Sequence, residues 1–111
     1  MILPIDKERV PYQFEIELDG EIFTFEVHYN GEYDFFTIDL YKDGEVVVYG
    51  EKIIYGRQLF KSIADLRLPK TPIIPLDPSG QTQRVGYNEL GETVFLYIGG
   101  IEDANAIRQE G

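Results

Sequence analysis

The sequence has no cysteine, no tryptophan and a single histidine, His28. Without cysteine there is no disulfide framework, no thiolate nucleophile and no cysteine-ligated metal. That usage suits a reducing cytoplasm, or an extracellular particle assembled in one. With one histidine and no thiolate, a zinc site would have to rely on carboxylates, which is uncommon. Long apolar runs are also missing: nothing approaches the roughly 18 residues of a membrane span. The start, Met1-Ile2-Leu3-Pro4-Ile5-Asp6, turns charged too soon for a signal peptide, so a soluble chain without a targeting segment is expected.

Basic residues are scarce where acidic ones are dense. Residues 10–51 hold eleven Asp and Glu against Lys42 alone, whereas residues 52–70 hold Lys52, Arg57, Lys61, Arg67 and Lys70 against Asp65 alone. The net charge of −10 opposes an electrostatic grip on nucleic acid or anionic lipid, which needs clustered Lys and Arg. Opposite patches on one polypeptide permit head-to-tail contacts between copies. The bland alternative is two solvated faces.

The 111 residues make one domain, and 43% apolar and 14% aromatic residues supply a core without covalent staples. From Tyr12 the apolar period is two. Tyr12, Phe14, Ile16 and Leu18 alternate with Gln13, Glu15, Glu17 and Asp19; Phe23, Phe25, Val27 and Tyr29 alternate with Thr24, Glu26 and His28; Phe36, Ile38 and Leu40 alternate with Thr37, Asp39 and Tyr41. Val46 to Tyr49 is a fourth strand. Asp19-Gly20, Asn30-Gly31 and Asp43-Gly44 are hairpin signals, because Asx-Gly accepts the positive φ angles of a two-residue turn. The pattern predicts an antiparallel meander with a carboxylate face and an aromatic face, the latter covered by the rest of the chain.

Beyond the meander, Ile53-Ile54-Tyr55 reads as a fifth strand and residues 57–65 as one short helical turn. Thr71 to Leu76 reads as a proline-bearing edge strand, 77–88 as an exposed loop and Thr93 to Ile98 as a last strand. The fold expected is all-β, a small meander closing into a barrel or sandwich. The divisions expected are an arm (1–11), a β domain (12–98) and a flexible tail (99–111).

Chemistry is hard to place on this chain. His28 lies mid-strand among carboxylates and reads as a paired surface residue, not as the base that a nucleophile needs. Glu15, Glu17 and Glu26 could suggest glycoside hydrolysis, but such rows are what the wet face of a sheet looks like, and none is marked as buried. Asp34, Asp39 and Asp43 lack calcium-loop spacing. Neither enzyme activity, cofactor nor metal is predicted. Phe35 and Tyr41, off the apolar face of the third strand, fit a sugar platform or an assembly contact.

The order of landmarks resembles a family. Leu3-Pro4-Ile5 and Val10-Pro11-Tyr12-Gln13-Phe14 are followed by Asn30, Asp39-Leu40-Tyr41, Asp43-Gly44, Gly50 and Gly56. Then come Leu59, Asp65-Leu66-Arg67-Leu68-Pro69, Asp77, Leu90-Gly91 and Val94-Phe95-Leu96-Tyr97. Together, over residues 1–100, these resemble the phage baseplate plug proteins of contractile tails. One departure is Phe36, where that pattern leads us to expect tryptophan. The resemblance implies a virion protein at the baseplate axis, made in the host cytoplasm, oligomeric in the particle and packed against hub and tube proteins to help close the lumen. It brings no catalytic residues. Candidate assembly contacts are the basic set Lys52, Arg57, Lys61, Arg67 and Lys70, the aromatics Phe35 and Tyr41, and the acids Glu15, Glu17 and Glu26. A free-standing carbohydrate- or peptide-binding sandwich is the alternative, and a small carboxylate hydrolase a third reading.

Overall fold

A computed structural model of the chain describes residues 1–99. Strands β1 (Tyr12–Leu18), β2 (Glu21–Asn30), β3 (Phe35–Lys42) and β4 (Glu45–Lys52) form one antiparallel sheet in sequence order. The first and third turns are the expected two-residue hairpins, with φ of 55° and 78° at Asp19 and Gly20 and of 53° and 78° at Asp43 and Gly44, the left-handed values that Asx-Gly tolerates. The second turn is different. Asn30 pairs with Phe35 across a four-residue loop. The Asn30 side chain accepts from the Tyr33 amide, and Asp34 takes the positive φ.

The period-two pattern settles what the sheet buries. Phe23, Phe25, Val27, Phe36, Ile38 and Leu40 all point to one side and have no solvent exposure. Each such side chain contributes about 1.5–3 kcal/mol of transfer free energy. The cover is a second sheet of β5 (Ile73–Leu76) and β6 (Phe95–Ile98), whose Ile73, Leu96 and Ile98 join the same core. Two ribbons widen it. On one side the Leu3 amide donates to Leu96 and the Ile98 amide to Met1; on the other, Gly56 and Leu59 donate to Pro75 and Ile73. The residues expected as an arm are thus bonded in, and Leu3 is buried. Pro75 turns its carbonyl away from β6 toward Gly56, so the donor it lacks is one β6 never needed. The result is a sandwich; no closed barrel forms among the described residues.

Two local expectations change. Residues 53–55 are not a separate strand: the Ile53 amide still bonds Phe36, and the chain then turns at Gly56 (φ 73°) to run beside β5. The helical turn near 57–65 reduces to a hydrogen-bonded turn, Ile63 amide to Phe60 carbonyl. Leu59 and Phe60 are adjacent and both buried, whereas neighbours on a helix point about 100° apart. Phe60 adopts a left-handed φ of 64° and sets its ring 6.4 Å from that of Phe25. Among the described residues the one 3-10 turn is Lys7–Arg9, capped by the Asp6 carboxylate.

The loop 77–88 is partly buried and fastened, not simply exposed. Asp77, Val85 and Gly86 are buried, and the Tyr87 ring packs 5.3 Å from Tyr29 and 6.3 Å from Phe36. Asp34 accepts from Tyr29 Oη, the Tyr87 amide and Arg84. These donors, led by the Tyr29 hydroxyl, hold its carboxyl at about 2. Of the expected tail, all but Gly99 lies outside the described residues.

Candidate functional site

The strand ends at 33–35 and 52–54 and the chain after them bring several predicted contacts together. Lys52, Arg57 and Lys61 line one shallow depression of about 180 Å³ with Ile54 and Ser62. The Lys52 ammonium sits 4.6 Å over the Phe35 ring, a cation–π contact. Phe35 and Lys52 also line an adjoining groove with Tyr33 and Arg84, and Tyr33 is 71% exposed. One aromatic and basic patch results. Its acids are Glu51 and Asp34; Glu51 is committed to the Phe60 amide at 2.7 Å and Asp34 to Tyr29, Tyr87 and Arg84.

The other two basic residues lie outside that depression. Arg67 grips Asp65 within its own segment, at 2.8 and 3.1 Å, which pulls the Asp65 carboxyl down to about 2. Lys70 donates its amide to Asp19 of the first hairpin, next to a second bond from the Thr71 amide. The Thr71 hydroxyl bond leads in lowering the Asp19 carboxyl. Arg67 is thus paired within its own segment, whereas Lys70 meets Asp19 through its backbone amide.

Glu15 and Glu17 are exposed on edge strand β1, as predicted for the wet face. Phe35 and Tyr41 share that face but are six residues apart on one strand, about 20 Å, too far for a single sugar ring. Tyr41 is partly covered. Burial first, then the charges of Glu26, Asp39 and Tyr49, push its hydroxyl above the usual range.

Glu26 is not an exposed wall residue. It pairs across the sheet with Asp39, whose side chain is only 4% exposed. His28, two positions along β2, turns Nε2 to Glu26 Oε2 (2.5 Å) and Asp39 Oδ2 (3.2 Å). The remaining oxygens are also held. Gln13 Nε2 donates to Glu26 Oε1 at 2.7 Å, and the Gly50 amide to Asp39 Oδ1 at 2.7 Å. Asp39 is buried because it faces a β-bulge. Ile38 pairs with Glu51 but Leu40 with Val48, and the Asp39 carboxylate satisfies the bulge amide that the ladder leaves over. The Gln13 bond, against a desolvation opposing it, sets the Glu26 carboxyl below its usual range, the opposite of what a general acid needs. The pairing of His28 with carboxylates was legible from alternation. The burial of Asp39 was not, since no residue type announces that bulge beyond Gly50.

No curated protein matches the chain. A family model described as cyanophage baseplate Pam3 plug gp18 matches residues 1–102. That span covers both sheets, the aromatic and basic patch and the Glu26–His28–Asp39 cluster, with Phe36, fully buried against Tyr29 and Tyr87, filling the core position where tryptophan was expected. The chain therefore belongs to the family of cyanophage baseplate plug proteins.

Proposed function

We propose that this protein is a structural component of a phage or phage-like tail baseplate, seated at the central axis, where it packs against hub and tube proteins and helps close the lumen. Synthesis in the host cytoplasm and an oligomeric state in the particle belong to the same reading. The family match over residues 1–102 carries it. The surface supports it: Lys52, Arg57 and Lys61 converge beside Phe35 and Tyr33, a mixture suited to docking on an acidic protein surface. The exposed acids Glu15 and Glu17 oppose adsorption of a passing phosphate backbone. The Glu26–Asp39 pair lies on an open sheet face, and with Glu26 lowered it is suited to holding a cation rather than to acid catalysis.

Co-expression with hub and tube proteins tests the contact. The triple change Lys52→Glu, Arg57→Glu and Lys61→Glu is expected to weaken association roughly tenfold, at a few tenths of a kcal/mol or more per exposed pair, while leaving the melting temperature unchanged. Raising the salt should weaken the unaltered complex in the same direction. Failure of the chain to associate with hub or tube protein at low salt would refute the reading.

A further inference from the structure

We propose that Glu26, His28 and Asp39 bind one divalent transition-metal ion of the zinc or cobalt class on the open face of the four-stranded sheet. Each residue offers one ligand atom, Glu26 Oε2, His28 Nε2 and Asp39 Oδ2, and these atoms all lie within 4.8 Å of one another.

Protons alone serve the cluster poorly. Glu26 and Asp39 are directly opposed on neighbouring strands, a position where like charges repel. Their inner oxygens converge on a single nitrogen, which carries at most one proton. Imidazolium would leave the group with a net negative charge and imidazole with two. Among the described residues, no lysine or arginine forms an ion pair with either acid. A divalent ion neutralises both carboxylates and takes the Nε2 lone pair.

The geometry is close to what such an ion requires. A tetrahedral ion with ligands at about 2.0–2.2 Å sets them about 3.4 Å apart. His28 Nε2 and Asp39 Oδ2 stand 3.2 Å apart already; Glu26 Oε2, at 2.5 Å from the same nitrogen, has to move outward by less than an ångström. The outer oxygens are tied to groups outside the triad, Gln13 Nε2 and the Gly50 amide. Metal ligands are commonly oriented by such a layer of partners. Imidazole among the ligands disfavours calcium and magnesium, and the absence of thiolate disfavours Cu(I). His28 is 40% exposed, so the ion has an entry path and keeps at least one position for water or for a side chain of a neighbouring protein. None of this depends on the baseplate reading.

The test is titration of the chelator-stripped full chain with Zn2+ by calorimetry, and with Co2+ by its visible absorption. One ion per chain is expected, with no response to Ca2+ at the same concentration. His28→Ala, which removes the one nitrogen ligand, should lower the affinity at least tenfold. Gln13→Ala, which leaves all three ligands in place, should weaken binding by roughly tenfold through loss of orientation, and it keeps the test decisive where His28→Ala does not fold. The melting temperature of the wild type should rise with Zn2+ concentration. Absence of saturable Zn2+ binding, or identical binding by His28→Ala or by Gln13→Ala, would overturn the assignment.

Discussion

Replacing Asp77 by asparagine isolates the contribution of one buried charge to the fastened loop. Asp77 is 6% exposed, yet its oxygens accept from the Ser79 amide and hydroxyl, the Gln81 amide, and the Thr82 amide and hydroxyl. Burial alone would raise its pKa. The Ser79 hydroxyl and the Thr82 and Ser79 amides outweigh burial and bring it from 3.8 to about 2. Because the folded value lies below the unfolded one, the stabilisation is fully present above about pH 4 and is lost as pH falls through 2. At about 1.4 kcal/mol per pKa unit, it amounts to about 2 kcal/mol at neutral pH. Asparagine keeps the size but presents an NH2 group to donors, so Asp77→Asn should lose at least that much, a fall of roughly 10 °C in melting temperature. Urea titrations of both proteins near pH 7 and near pH 3 check the sign. The gap should shrink to about half at the lower pH, where the wild-type carboxylate has given up part of its advantage. An equal gap at both values would refute the electrostatic reasoning and leave a packing effect in its place.

Two further outcomes follow from the same geometry. At Gly86 an added Cβ would press on Asp34 Oδ2 and meet Glu89 Oε1 at 2.7 Å and Arg84 Nη2 at 2.9 Å; Gly86→Ala should therefore displace the Asp34–Arg84 contact and destabilise the protein by about 1–3 kcal/mol, read as a lowered urea midpoint. Glu15→Lys with Glu17→Lys changes two exposed positions and should slow DNA release from assembled tails without altering the fold; unchanged release would count against an electrostatic role for this face.

Much of the first sheet was legible because local chemistry and tertiary demand agree there. Asp19-Gly20 and Asp43-Gly44 carry the dihedral angles that their hairpins need, and alternation placed Phe23, Phe25, Val27, Phe36, Ile38 and Leu40 on one face. Asn30-Gly31 carried the same signal but sits beside a longer loop. There the Asn30 side chain caps Tyr33, and Asp34 is drawn in by nearby Tyr29 and by Tyr87 and Arg84, 53 and 50 residues away in the chain, which no local pattern reveals. The second layer was readable only as strands, since Met1–Leu3 and residues 56–59 join it through just two backbone bonds each. Phe60 shows the same limit: its apolar spacing fits a helix, but the pull of the core against Phe25 selects a left-handed turn. At the candidate site, alternation put Glu26, His28 and Asp39 on one face. Their convergence depends on strand register and on the bulge at Gly50, neither of which is written in residue type.

The most direct test of the central claim is a reconstruction of the intact tail that carries this protein, at a resolution sufficient to trace strands. A four-stranded sheet covered by β5 and β6, found on the baseplate axis with Lys52, Arg57 and Lys61 against an acidic hub or tube surface, is the predicted result. Purified, infectious particles without this chain, or with it bound only at the periphery, would contradict the account.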